Sequence, residues 1–301
     1  MNSHPSWRLL TLSFSVLLGS CTEASPTNPV RAPKVVHPGW RIAEVGMTRA
    51  DHDSGGISEV VTTGSWVLAN TSRGALFLGK EGTVWKRLIM PDSAAASALF
   101  EWNGEFIVGS RFFGKLYAYS PITDQWRNLH TEGFLPTATR LTKVERIGSF
   151  RGGLFVSFGT VKDTFVMGLH SDAALSSWSP MLQGLPPYEI PIAFLGLDSV
   201  LLAATYEKGI YQWKLGDSAW TKAVNPIVNT AAWGKIDADF PRAFALLNGV
   251  VWSGHYVNGI YFKELKDSGW KLFLPDSFAS KVPRDIFAMT TWRGRLFAAG
   301  R

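Results

Sequence analysis

A chain of 301 residues with 13 Trp, 19 Phe, 29 Gly and 16 Pro, and only 18% charged side chains, suits short strands and turns better than surface helices. Its length admits two ordinary domains or one large all-β unit. The formal net charge of +6 comes from Lys and Arg scattered singly, Lys86-Arg87 being about the densest pair; with no recognition helix, zinc knuckle or aromatic stacking strip, no nucleic-acid partner is expected.

A short polar start containing Arg8 is followed by ten largely apolar residues, Leu9 to Leu18, and then by small residues before Cys21. Ten residues of helix span only about 15 Å, half of a bilayer core, so residues 1–20 read as a signal peptide and not as a membrane span. The segment Leu18-Gly19-Ser20-Cys21 resembles the lipobox of bacterial lipoproteins. That resemblance implies an exported chain whose Cys21 carries the lipid and anchors it to the cell envelope; Thr22 in place of Asp points to the outer membrane if the cell is Gram-negative. Cys21 is the only cysteine, so no disulfide is available and the folded part is left without a thiol. Residues 21–32, rich in Ser, Thr, Pro, Asn and Glu, carry too little apolar surface to fold and read as a tether. The folded domain is expected over 33–301.

Within that domain a phrase recurs. Trp40, Trp85, Trp126, Trp178, Trp220 and Trp270 stand 41 to 52 residues apart, each opening a short polar strand. Most are preceded by a Gly-apolar-aromatic step, as in Gly114-Lys115-Leu116-Tyr117, Gly209-Ile210-Tyr211 and Gly259-Ile260-Tyr261; the unit at Phe165-Val166-Met167 lacks the glycine. Further upstream lie apolar runs ending in small residues: Trp66 to Ala69, Phe106 to Gly109, Leu154 to Ser157, Val200 to Ala204, Val250 to Gly254 and Leu296 to Gly300. With one more strand ahead of each run, such as Ala98 to Trp102, a unit has four strands, which is the make-up of a propeller blade.

The last unit ends after two strands, Asp285 to Thr291 and Arg295 to Gly300, whereas the first tryptophan phrase has no inner strands before it. Joining the two halves completes one blade, with Ala32 to Val36 and Trp40 to Val45 as its outer strands, and removes the open edges that invite aggregation. The expected fold is therefore all-β: a six-bladed β-propeller of four-stranded blades whose last blade is closed by N-terminal strands. A single copy is expected to be the working unit.

The stretch Phe106-Ile107-Val108-Gly109-Ser110-Arg111 followed by Lys115 to Trp126 resembles a kelch repeat, with Tyr119 seven positions before Trp126. The double glycine of kelch repeats is absent. Glu81-Gly82-Thr83-Val84-Trp85 is similar to the end of the Asp-box turn of sialidase-like and photosystem-assembly-factor-like propellers, although Leu78 and Lys80 stand where Ser and Asp belong. Resemblance to propellers implies a ligand face made by the loops that join one blade to the next and by the loops between each blade's middle strands.

That face selects the candidate residues. Arg49-Ala50-Asp51-His52-Asp53 is the most polar concentration in the chain and could ligate a metal or do acid-base work; as a solvated loop before Gly55-Gly56 it would do neither. Asp237-Ala238-Asp239 is a second acidic pair, short of the six to eight oxygens that calcium takes. Arg111-Phe112, Lys162, Tyr206-Glu207 and His255-Tyr256 fall at equivalent positions of blades two to five, where aromatics beside hydrogen-bonding groups suit a sugar or a peptide. No nucleophile elbow or phosphate-cradling loop is present, and the arginine-containing opening motif of sialidases is missing. The reading is thus a non-catalytic binding platform for a protein or glycan, with no cofactor expected and calcium the one ion left open. The alternative is a metal-dependent lactonase-like enzyme, or a sugar-acting hydrolase or lyase, drawing on Asp51, His52, Asp53, Asp237, Asp239 and His255.

Overall fold

The computed structural model describes residues 57–80, 85–131, 142–160, 166–181, 183–186, 189–205, 208–223, 240–256, 259–267, 269–273, 285–292 and 294–300. The expected signal peptide, tether and N-terminal closing strands lie outside them. Among the described residues no helix is long and apolar enough to cross a membrane.

The described chain forms successive antiparallel meanders. The first sheet is β1 (Ile57–Thr63), β2 (Trp66–Thr71), β3 (Leu76–Lys80) and β4 (Lys86–Leu88), paired in that order. The second is β5 (Ala96–Trp102), β6 (Glu105–Ser110), β7 (Leu116–Ser120) and β8 (Gln125–Asn128). The third is β9 (Thr142–Phe150), β10 (Gly153–Thr160), β11 (Val166–Ser171) and β12 (Trp178–Pro180). The fourth is β13 (Pro191–Gly196), β14 (Val200–Thr205), β15 (Ile210–Lys214) and β16 (Thr221–Lys222). The fifth is β17 (Pro241–Leu247), β18 (Val250–His255), β19 (Gly259–Glu264) and β20 (Lys271–Leu272). A sixth sheet of two strands follows, β21 (Ile286–Trp292) and β22 (Arg295–Gly300). The four-strand unit read from the repeat is therefore the unit that folds.

The first strands of neighbouring sheets pack on one another in chain order, β1 on β5, β5 on β9, β9 on β13, β13 on β17 and β17 on β21. The second to fifth sheets are consequently covered on both faces, which explains why their second strands are continuous apolar runs and do not alternate. In β6, Phe106 and Val108 face the first sheet while Ile107 faces the third, and all three are fully buried. Five apolar clusters occupy the five junctions between successive sheets, from Leu68, Leu76 and Phe106 at the first to Trp252, Ile286 and Leu296 at the last.

The recurring tryptophans close these junctions from outside. Trp178 donates its indole N–H to the Leu129 carbonyl of the preceding sheet at 3.1 Å. Trp220 reaches the Met181 carbonyl at 3.3 Å, and its ring lies 5.4 Å from that of Phe155. Trp270 packs against Leu202, Ile210 and Ala223 of the fourth sheet. Trp126 stacks on Tyr119 at 4.8 Å over the first junction.

The small residues ending the apolar runs have a steric cause. A Cβ at Gly109 would overlap Val144 of the third sheet, and one at Gly254 would overlap Ile286 of the sixth. At the same register of the third sheet, Ser157 donates its hydroxyl to the Pro191 carbonyl of the fourth at 2.9 Å. Gly109→Ala should therefore cost about 1–3 kcal/mol of stability through overpacking, read as a lower denaturation midpoint with an unchanged denaturant slope. Adding Val144→Ala should recover part of the loss, and a purely additive double variant would show that the two side chains do not meet.

Candidate functional site

Each inner strand begins, and each second strand ends, on the same side of its sheet, so the loops after the second strands and the linkers before the inner strands form one face. These loops are cross-tied. The Arg111 guanidinium donates to the Ser72 carbonyl in the loop of the first sheet at 2.7 Å, and the Arg111 N–H donates to Ala95 at 2.8 Å. The Gly114 N–H reaches the Thr142 carbonyl of the third sheet at 2.8 Å, and the Tyr256 N–H reaches Phe240 at 2.8 Å.

The last residue of most second strands anchors its own loop. Thr71 accepts the Ala75 N–H at 3.0 Å, Ser110 accepts the N–H of Phe112 at 3.0 Å while donating to its carbonyl, and Thr205 donates to Gly209 at 2.9 Å. His255 takes this position in the fifth sheet. It is fully buried, its ring 4.8 Å from Tyr261. The sequence groups His255 with Tyr256 as loop residues, whereas the structure puts the imidazole inside the blade and Tyr256 alone at the loop surface.

Of the other candidates, Phe112 is held by the Ser110 turn, beside Phe113, which is exposed and adopts φ +60°. Arg49, Asp51, His52, Asp53, Lys162, Tyr206, Glu207, Asp237 and Asp239 lie outside the described residues. Among the described residues no group of three His, Cys, Asp or Glu gathers as metal ligands would.

Tyr256 has company that sequence reading did not assign. Phe240, from the linker before β17, meets it edge-on with ring centroids 6.1 Å apart. Phe287, on β21, lies at 6.1 Å on a tilted plane and is 47% exposed. The Arg242 guanidinium caps the Tyr256 ring at 5.6 Å, within cation–π range. Three rings and a cation from two adjacent sheets thus share one patch.

A second neighbourhood joins the first and third sheets. Glu59 on β1 accepts the Leu99 N–H at 2.8 Å. Burial pushes its carboxyl above the usual range, a rise partly offset by Arg146, by the Leu99 N–H and by Lys143. Lys143 pairs with Glu145 at 2.6 Å, and Arg146 donates to the Ile192 carbonyl of the fourth sheet at 2.7 Å. The run Lys143-Val144-Glu145-Arg146 inside an inner strand was the available signal for this cluster, because charged side chains in a strand packed between neighbouring sheets are rarely buried unless paired.

No family model matches the chain, and no curated protein matches it. Solved structures do. PorZ, an essential surface component of the type-IX secretion system of Porphyromonas gingivalis, superposes with a TM-score of 0.59 at 12% identity, over 78% of this chain and 36% of that one, so this chain spans about a third of PorZ. U3-55K matches with a TM-score of 0.54 at 11% identity, over 75% and 67% of the two chains. YCF48, solved bound to a D1 peptide, matches with a TM-score of 0.50 at 11% identity, over 72% and 66%. PorZ and YCF48 are β-propeller proteins, and the likeness, with the blade-like meanders above, shows that this chain has a β-propeller fold.

Ionised Glu59 destabilises the fold relative to the open chain, since its carboxyl is raised in the folded state. Its contribution is therefore most favourable below about pH 4.5 and is lost as pH rises through the folded pKa. Glu59→Gln should melt higher than the parent at pH 7, by on the order of 2 °C, with the gap closing towards pH 4. A variant melting lower at pH 7 would show that attraction to Arg146 outweighs burial.

Proposed function

We propose that the chain is a cell-envelope lipoprotein, exported, acylated on Cys21 and tethered by residues 21–32, whose propeller is a non-catalytic binding platform for a protein or glycan. The observation that carries the binding role is the patch of Phe240, Tyr256, Phe287 and Arg242 on the loop face, an aromatic and arginine composition enriched where partners bind. The cross-tied loops favour the same reading, because a face held by backbone hydrogen bonds loses little freedom when a partner docks. YCF48, one of the solved neighbours, takes a peptide.

The proposed ring has six blades, the sixth completed by strands from residues 32–36 and 40–45. In support, Val60 on β1 is 52% exposed, whereas Leu99, at the same register of the second sheet, is 3% exposed because the first sheet covers it. On its outer side β1 thus leaves Ile57 and Val60 about half exposed, at positions where the second sheet buries Ala96 and Leu99. Closure packs β21 of the sixth sheet on this side of β1, and the N-terminal strands complete that sixth sheet.

Two measurements test this reading. Cys21→Ala should move nearly all of the protein from the membrane to the soluble fraction and abolish labelling by a fatty-acid analogue; unchanged partitioning and labelling would refute the anchor. The intact protein, crosslinked in cells and purified, should retain one envelope protein or glycan at a stable ratio, which Tyr256→Ala should reduce about tenfold. Retention unaffected by that substitution would remove the patch from the binding role.

A further inference from the structure

In two sheets the recurring tryptophan covers the residue beside it on the third strand. In the first sheet the Trp85 ring lies over Gly79, where a Cβ would come within 2.8 Å of it, and in the second Trp126 stacks on Tyr119, its partner in the ladder. Trp213 holds the place of Tyr119 on β15, and Trp220 follows it at the spacing that separates Trp126 from Tyr119. Trp220, however, turns into the junction with the third sheet, and among the described residues the two indoles make no ring contact. The cover that Tyr119 receives is thus missing over Trp213, which stays partly exposed.

The uncovered ring lines a pocket of about 390 Å³ on the outer rim, within the range of small-ligand sites. The third sheet supplies Pro180 at the end of β12 and the linker residues Met181 and Gln183; the fourth supplies Trp213, Asp217 and Ser218. Both walls are fixed. The Gln183 carbonyl accepts the Trp220 N–H at 2.7 Å, and Gly184, at φ +90°, brings the linker so close that a Cβ there would overlap the Trp220 backbone. Trp213 is oriented by its indole N–H, which donates to the Asp217 carbonyl at 2.8 Å, and by Phe150, which meets it edge-on at 5.7 Å. The polar side chains are not spent in this way. Among the described residues the Gln183 amide and the Ser218 hydroxyl have no hydrogen-bond partner, and Asp217 commits one carboxylate oxygen, to the Lys214 N–H at 3.2 Å.

We infer that this pocket is a sugar subsite taking a β-linked pyranose of glucose configuration, with Trp213 as the stacking face and Gln183, Asp217 and Ser218 as partners for its hydroxyls. The walls decide the ligand. In that configuration every hydroxyl is equatorial, so both faces of the ring are apolar C–H surfaces and its rim is polar. That matches an indole from one sheet, Pro180 and Met181 from the other, and hydrogen-bonding groups beside them. An amide and a hydroxyl each donate and accept, as sugar hydroxyls do, and the carboxylate adds acceptors. A cationic side chain would use Trp213 and Asp217 but would leave the Gln183 N–H groups facing a positive charge. An extended peptide adding to the sheet would need a long open edge, and β16 has only two residues. The pocket belongs to the third and fourth sheets, so it stands independently of the Tyr256 patch on the fifth and sixth.

The test is isothermal titration calorimetry of the full-length protein, in a detergent without a sugar headgroup, against cellohexaose, β-mannohexaose and tetralysine. Cellohexaose should bind, with an affinity that added salt leaves unchanged because the ligand carries no charge. Mannohexaose, in which an axial hydroxyl breaks one apolar face of each unit, should bind at least about tenfold more weakly, and tetralysine should not bind. Trp213→Leu, which keeps an apolar contact with Phe150 but removes the flat face, should weaken cellohexaose at least about tenfold. Gln183→Ala, at an exposed side chain, should weaken it about fivefold with an unchanged melting temperature, and so decides the matter if Trp213→Leu unfolds. Ile122→Ala, on an exposed turn between β7 and β8, should leave binding unchanged. Absence of cellohexaose binding, or binding indifferent to both pocket substitutions, overturns the subsite. Tetralysine binding that weakens with salt overturns the sugar in favour of a cation, and equal binding of the two sugars overturns the glucose configuration.

Discussion

The domain depends on how closely one sheet can approach the next. Five junctions, each sealed by an apolar cluster, hold the described chain together, and at the second, third and fifth the end of one second strand meets the start of the following inner strand. Backbone stands so near that Gly109 and Gly254 have no room for a Cβ. Where a serine is tolerated, as at Ser157, its hydroxyl becomes a bond to the neighbour. The contact is short-range and repeated, so stability accumulates junction by junction, as in other repeat architectures. The tryptophans work at the opposite end of the same junctions, offering large apolar area and one N–H that finds a carbonyl of the preceding sheet.

Much of this was legible in the sequence because the repeat has a physical reason at each position. The apolar runs are continuous since both faces of a blade are covered, and they end in small residues since the next blade presses there. The tryptophan marks the outer strand, although Trp85, Trp220 and Trp270 stand just ahead of β4, β16 and β20 and not within them. The third unit, which lacks the glycine step, still forms β11 from Val166, because pairing to β10 supplies what the turn signal does not.

The candidate site was less legible. Tyr256 could be placed on a loop by counting along the repeat, but its partners come from a linker and from two inner strands, at separations no local pattern links. His255 shows the same limit from the other side. A polar residue at the end of an apolar run reads as the start of a loop, yet Thr71, Ser110 and Thr205 at that register are all buried, and the imidazole follows them inward. In every sheet the pairing of first and second strand slips by one residue, and these slips leave no trace in composition: Ser97 lies in an Ala and Ser run, and Ile192 follows a proline, each compatible with a regular strand.

The extra residues at the six slips, Ser58, Ser97, Glu145, Ile192, Arg242 and Phe287, are constrained unevenly. Residues facing a neighbouring blade are fixed by packing, and those ending the second strands are committed to their loops. Of the extra residues, Ser97 bonds to the Val144 carbonyl of the next sheet and Ser58 to its own sheet, whereas Phe287 holds a half-exposed ring between stretches of ladder that resume their register on either side. Substitution at Phe287 alters the surface, whereas substitution at Ser97 removes a bond across a junction. Freedom to vary is thus set position by position, by whether the extra residue bonds to the next sheet or faces solvent.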